Sequence, residues 1–209
     1  MKLIHGFVAL CVGIGLSFSG LLAAQTAPAS NSSTLNHAEI GIYGDYFRFA
    51  PTSTYHANFL GVGGRVAFNA NPWVALEAEM NYDFAQDFTT TYPNGTTTTV
   101  VTTSVRPLTG LFGPKFQFGG GGPFRVFVTG KVGFIDFSTA NSGTVTGSQF
   151  TGAVAGVGNP GTHLAFYPGG GIEGFAGPIG IRAEAGDEVY LNGGTYNNLR
   201  ITFGPTIRF

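Results

Sequence analysis

Asn198-Leu199-Arg200-Ile201-Thr202-Phe203-Gly204-Pro205-Thr206-Ile207-Arg208-Phe209 interleaves two sets of residues. Leu199, Ile201, Phe203, Pro205, Ile207 and Phe209 fall on one parity, and Arg200, Thr202, Gly204, Thr206 and Arg208 fall on the other. Successive side chains of a strand point to opposite faces, so this alternation predicts a strand with one apolar and one polar face. A helix would mix the two sets around its circumference.

The same period recurs upstream. In Val74 to Phe84, the residues Val74, Leu76, Ala78, Met80, Tyr82 and Phe84 alternate with Ala75, Glu77, Glu79, Asn81 and Asp83. Ile179 to Gly186 and Leu60 to Phe68 repeat it, and less regular versions cover Ala38 to Phe49, Arg106 to Phe118, Phe124 to Phe134 and Leu164 to Gly174. That makes eight strands, each about the length of a tilted membrane-spanning strand. The connections alternate too. Asn69 to Trp73, Gly119 to Pro123 and Phe175 to Pro178 are short and built of Asn, Gly and Pro, as tight turns require. The others fall at Ala50 to Ala57, Ala85 to Ser104, Asp136 to Thr162 and Asp187 to Asn197, two of them long and rich in Thr, Ser, Gly and Asn. Short turns at one end and long loops at the other are the layout of a transmembrane β-barrel. The predicted fold is therefore all-β: an eight-stranded antiparallel up-and-down barrel spanning residues 38–209.

Charge decides which face meets which solvent. By parity, Glu39, Asp45, Glu77, Glu79, Asp83, Glu173 and Glu184 share the polar face with Arg65, Lys115, Arg125, Lys131, Arg182, Arg200 and Arg208. The opposite face carries only Arg48 and Arg106 within strands, both near loop ends. A charged residue facing lipid at the midplane costs about 2 to 4 kcal/mol, so the uncharged face is expected outward. Aromatic residues are expected in two interfacial girdles: Phe68, Trp73, Phe118, Phe124 and Phe209 at the short-turn end, and Tyr46, Phe49, Tyr82, Phe84 and Phe134 at the loop end.

Composition agrees with this reading. The chain has 34 glycines among 209 residues and only 10 % charged residues, against norms of about 7 % and 25 %. A formal net charge of −1 excludes a basic nucleic-acid binder, and the glycines lack the period of collagen. Inward glycines at 41, 61, 63, 113, 133, 169, 171, 180, 186 and 204 leave open whether the lumen is partly empty. Pro107, Pro114, Pro168 and Pro205 fall inside strands, where each removes a ladder hydrogen bond; bulges or local strand ends are expected there.

The first residues read as a leader. Met1 and Lys2 precede an apolar stretch from Leu3 to Ala24 that ends in small residues, the pattern of a secretory signal peptide (1–24). A polar segment follows (25–37), and then the barrel. The single cysteine, Cys11, lies inside the leader, so the exported chain would carry no disulfide.

On these features, with its signal peptide, eight alternating strands and closing stretch Asn198 to Phe209, the sequence resembles the small OmpA/OmpX-like outer-membrane β-barrels of diderm bacteria. Gly169-Gly170-Gly171-Ile172-Glu173 is a weaker match. The resemblance implies an outer-membrane location, surrounding lipid, and Ile201, Phe203, Ile207 and Phe209 as the signal read by the outer-membrane insertion machinery.

Other motifs carry less. Gly156-Val157-Gly158-Asn159-Pro160-Gly161 has the letters of a dinucleotide fingerprint but not the strand and helix it needs. Gly130-Lys131 lacks the rest of a phosphate loop, and Asn94-Gly95-Thr96 is a formal glycosylation site. His37, His56 and His163 are scattered, so neither a nucleophile–His pair nor a zinc site is expected. Glu77 and Glu79 could serve as acid and base, but paired ions are the simpler use of buried charges. The expected network is Glu77, Glu79, Asp83, Lys115, Arg125, Lys131, Glu173, Arg182, Glu184 and Arg200, structural in role. No cofactor, metal or catalytic residue is expected. An eight-stranded barrel is just wide enough for side chains to fill it. The expected function is accordingly structural or surface-interactive, with an extracellular partner for the long loops, the Thr-rich Phe88 to Thr103 among them. The alternatives are a narrow channel through a Gly-lined lumen and a soluble lipocalin-like carrier with the faces reversed.

Overall fold

A computed structural model of the protein describes residues 37–50, 56–94, 97–119, 123–142 and 161–209. The expected leader, the polar segment up to residue 36, most of the 156–161 motif and the loop tips between these ranges lie outside the described residues. The elements are β1 (Ala38–Phe49), β2 (Ala57–Asn71), β3 (Val74–Asp83), β4 (Gln86–Asn94), β5 (Thr97–Phe118), β6 (Phe124–Ser142), β7 (Gly161–Ala176), β8 (Ile179–Leu191) and β9 (Thr195–Arg208). Every pairing is antiparallel. β3 pairs with β5, and β1 pairs with β9 from Glu39 opposite Arg208 to Arg48 opposite Leu199, which closes the ring.

Eight strands therefore surround the barrel, and β4 is an addition to them. It begins three residues after β3 ends and follows β5 outward from Gln86 opposite Val105 to Asn94 opposite Thr97. The expected loop Ala85 to Ser104 is thus largely a hairpin. Its threonines and valines are β-branched and suit a pleated ladder, and the Thr89 and Thr102 hydroxyls meet across it at 3.2 Å. The expected loop Asp187 to Asn197 is also mostly strand, turning only at Asn192 to Gly194 with Gly193 at φ 66°.

At the opposite end the turns are tight. Asn71 Oδ1 accepts hydrogen bonds from the amides of Trp73 and Val74 at 2.8 and 2.9 Å, which caps the β2–β3 turn at the one register shift between those strands. Gly119 and Gly177 adopt φ of 90° and 64°, which L side chains rarely accept.

Three of the four prolines expected within strands interrupt a ladder without shifting its register. β5 and β6 pair at Phe112–Val132 and resume at Lys115–Thr129, skipping Gly113 and Pro114. β7 and β8 skip Tyr167 and Pro168, and β9 and β1 skip Gly204 and Pro205. Pro114, Pro168 and Pro205 keep their pairing on the other side, with Leu76, Gly130 and Ile181, because a residue's single N–H points to one neighbouring strand only. Pro107 pairs with Phe137 in an unbroken ladder. The expected bulges are therefore two-residue gaps in register.

The outer surface is apolar. Ile42, Leu60, Phe112, Val128, Ile181 and Phe203 are among the large hydrophobic side chains more than half exposed. The girdle residues Phe68, Trp73, Phe118, Phe124 and Phe209 lie exposed at the short-turn end, and Tyr82 and Phe84 at the loop end. Phe49 departs from the expectation. It shares the parity of Glu39 and Asp45, points inward and is buried. An apolar exterior this continuous excludes the lipocalin alternative, which needs the faces reversed.

Candidate functional site

The inward face of each strand meets its counterparts across the barrel axis, and the charged side chains gather there in two clusters. Toward the short turns, Glu39 (β1), Arg65 (β2), Glu77 and Glu79 (β3), Lys115 (β5), Arg125 and Lys131 (β6), Glu173 (β7), and Arg182 and Glu184 (β8) form one network. Lys131 Nζ lies 2.6 Å from Glu77, 2.7 Å from Glu79 and 3.0 Å from Glu184. Arg182 reaches Glu77 at 2.6 Å, Glu173 at 2.9 Å and Glu184 at 2.5 Å. Lys115 joins Glu39 at 2.9 Å to Glu173 at 2.8 Å, and Arg125 meets Glu39 at 2.7 Å. Five acids face five bases. Glu77, Glu79 and Glu184 bring carboxylate oxygens within 4.8 Å of one another, but Arg65, Lys131 and Arg182 already occupy the space a metal would need, so the donor set is spent on ammonium and guanidinium groups.

Aromatic rings separate these charges. Arg182 lies 4.0 Å from the Phe127 centroid, Arg65 4.5 Å from Tyr43 and Arg125 4.9 Å from Phe175, distances at which ring faces attract cations. The rings lie over the inward glycines. A Cβ on Gly63 would stand 2.2 Å from the Tyr43 ring, one on Gly186 2.5 Å from Tyr167, and one on Gly180 2.5 Å from Phe175. The glycines make room for neighbouring rings, and the lumen is filled at these positions.

Toward the loops a second cluster centres on Arg200 (β9). Its guanidinium meets Asp45 (β1) and Glu188 (β8) in close contact and Asp83 (β3) at 3.3 Å, and it donates to the Thr109 hydroxyl at 3.2 Å. Thr109 Oγ1 donates to Glu188 at 2.9 Å. Above this cluster Phe47, Phe49, Phe59, Phe137 and Tyr190 pack together, with Phe49 and Phe137 centroids 5.4 Å apart and the rings of Tyr190 and Tyr196 stacked at 5.0 Å. Phe88 of β4 adds its ring to Phe59.

All ten side chains expected in the network are buried in the lumen, but in two groups: Asp83 and Arg200 belong to the upper cluster and the other eight to the lower. Sequence reasoning missed Glu188 by placing it in a loop. Extending the parity of Arg182, Glu184 and Gly186 by one step would have found it. Arg208, expected in the lumen, sits half-exposed at the short-turn rim with its guanidinium 4.3 Å from the Phe175 centroid. His37 and His56 are exposed, and His163 lies beside the rings of Phe137 and Tyr190. The proposed insertion residues Ile201, Phe203, Ile207 and Phe209 all lie on the outer face.

Apolar residues outside, paired ions inside and a ring closed between β1 and β9 define a transmembrane β-barrel of the small outer-membrane kind. Solved structures of that class align over most of the chain. Neisserial surface protein A covers 82 % of this chain and 97 % of its own at 9 % identity, with a TM-score of 0.54. Ail, the attachment invasion locus protein of Yersinia pestis, solved with the heparin analogue sucrose octasulfate, covers 83 % and 98 % at 13 % identity, with a TM-score of 0.53. No family model and no curated protein matches the sequence.

Proposed function

We propose that the protein is exported by residues 1–24, is assembled into the outer membrane of a diderm bacterium, and acts there as a structural and surface-interacting barrel. The observation that carries this reading is the filled lumen. Every charged lumenal side chain of both clusters is at most 7 % exposed, and an aromatic layer covers the loop end, so the barrel presents its loops and keeps its interior shut. Ile201, Phe203, Ile207 and Phe209 serve as the signal for the insertion machinery, and the ion network serves to hold the barrel closed. No catalytic role is proposed.

The loops specify the chemistry of a partner. Residues 50–57, 88–103 and 137–163 contain no Asp, Glu, Lys or Arg, and the described charges at the loop end outside the lumen are Arg48, Arg106, Asp87, Asp136 and Asp187. Ail was solved with a sulfated sugar; the loops of this chain lack the bases that would hold such a polyanion. A neutral partner engaged through hydroxyl, amide and aromatic groups fits them instead. Deleting Thr89 to Thr102 should leave a barrel with unchanged heat-modifiable gel mobility and reduce adhesion to a carbohydrate-bearing surface, with little effect of added salt on the wild type, since screening acts on charge. Adhesion unaffected by the deletion, or abolished by salt, would count against the reading.

A further inference from the structure

The two lumenal clusters differ in charge balance. The lower has five acids and five bases, whereas the upper has Asp45, Asp83 and Glu188 around Arg200 alone. All four upper side chains are shut off from solvent, where a charge without a partner is strongly disfavoured.

The strand register shows where compensation can occur. Asp45 pairs with Gly61, and Gly61 pairs with Asp83, so the three occupy one row across β1, β2 and β3. Gly61 puts no side chain between the two acids; a Cβ there would stand 2.9 Å from Asp83 Oδ1. The two carboxyls lie side by side on one guanidinium, Asp45 at Nη1 and Asp83 at Nη2. Arg200 takes Oδ2 of each, and Asp45 Oδ1 and Asp83 Oδ1 are buried with no donor among the described residues. Ionised carboxylates only accept hydrogen bonds, so two of them facing each other across a glycine attract only if one carries a proton.

Among the described residues Arg200 is the one cation in salt-bridge contact with the pair. Arg200 from β9 and Glu188 from β8 face the pair, Glu79 from β3 acts on Asp45 from further off, and Thr109 from β5 is committed to Glu188 and Arg200. Tyr43 from β1 donates to Asn81, and the Tyr167 ring of β7 lies under Lys131. Arg65 and Lys131 are engaged by Glu77, Glu79 and Glu184.

We propose that Asp45 and Asp83 form a proton-binding site, in which one proton is held between the two carboxyls across Gly61 at neutral pH. The site is independent of the surface reading, since it rests on the lumen alone. Its proton belongs to the pair, as in other carboxyl dyads. Protonation keeps the upper cluster intact, and loss of the proton sets two like charges against each other beneath the aromatic layer.

Infrared difference spectroscopy on the full barrel refolded in lipid vesicles tests this. At neutral pH the wild type should show the C=O band of a protonated carboxyl that disappears on alkaline titration, and Asp83→Asn or Asp45→Asn should each abolish it. The amide of Asp83→Asn can donate to Asp45 in place of the proton, so that variant should stay folded and lose the wild type's decline in stability, which begins as pH rises past the ordinary carboxylate pKa of about 4 and levels off once the pair releases its proton. Absence of the band from the wild type would overturn the proposal without need of any variant. It would also be overturned by a band that survives both aspartate substitutions and vanishes in Glu188→Gln, or by stability that rises with sodium concentration while no carboxyl band is present.

Discussion

At Gly63 and Gly64 two neighbouring residues with the same letter have opposite jobs. Gly63 faces the lumen, where a Cβ would strike the Tyr43 ring at 2.2 Å, while Gly64 faces outward with nothing within 4 Å. The Tyr43 ring is held by its hydroxyl, which donates to Asn81 Oδ1 at 2.7 Å, and by Arg65 over its face, so it has little freedom to retreat. Gly63→Ala should therefore cost about 1–3 kcal/mol, the usual range for overpacking, whereas Gly64→Ala should be neutral or stabilising by up to about 1 kcal/mol through a less flexible unfolded chain. Urea unfolding in lipid vesicles, read by heat-modifiable mobility, separates the two; equal effects would mean that the ring moves aside. Parity in the sequence assigns the two glycines to their faces. It does not say that Tyr43, twenty residues away, will lie across one of them, because that depends on the β1–β2 register, Tyr43 opposite Gly63.

At the level of elements, each gapped ladder joins a proline to an inward glycine: Gly113-Pro114, Pro168-Gly169 and Gly204-Pro205. The neighbouring strand closes in on the glycine. A Cβ on Gly113 would stand 2.2 Å from the Gly130 carbonyl oxygen, and one on Gly204 would stand 2.2 Å from that of Ile42. Strands in a small barrel must coil strongly, and at Gly113 and Gly204 the absence of a side chain permits this close approach. The glycine does the spatial part of that work, so Gly113→Ala should destabilise the barrel by more than Pro114→Ala, which alters no close approach and leaves the Thr129 hydroxyl donating to the residue 114 carbonyl at 2.9 Å. Equal losses in the same unfolding assay would shift the role to proline. Eight strands and their turns were legible because period two and turn chemistry are local signals. β4 was not, because Thr89-Thr90-Thr91 within it and Thr97-Thr98-Thr99 opposite have no alternation to read, and the ladder forms only through the pairing of residues 86–94 with 97–105. Phe49 was misassigned for a related reason: aromatic character suggests an interface, whereas its parity with Asp45 puts it inside, in the aromatic layer above the Arg200 cluster.

Across the whole molecule, low charge content and near-zero net charge describe a sorting. Lipid excludes ions from the outer face, so 14 of the 20 described charged residues are enclosed, where each must find a partner. Formal charge counts suggested seven acids against seven bases; the lumen encloses eight acids and six bases, since Glu188 joins the interior and Arg208 sits at the rim. That excess of acid falls wholly in the Arg200 cluster. The vertical order of these parts sets permeability. From the short turns to the loops the axis passes a neutral ion network, an acid-rich cluster on one arginine, and an aromatic layer, and the inward glycines at 63, 169, 171, 180 and 186 are covered by rings. Barriers in series conduct only when each is open, so the wild-type barrel inserted in planar bilayers should give no conductance steps. Lys115→Ala should also be silent, because it thins only the lowest barrier, and Phe137→Ala should be silent because it thins only the highest. Steady steps from the wild type would mean that the ion network rearranges readily, and steps gained from Lys115→Ala alone would mean that the aromatic layer is already permeable and that the salt bridges are the gate.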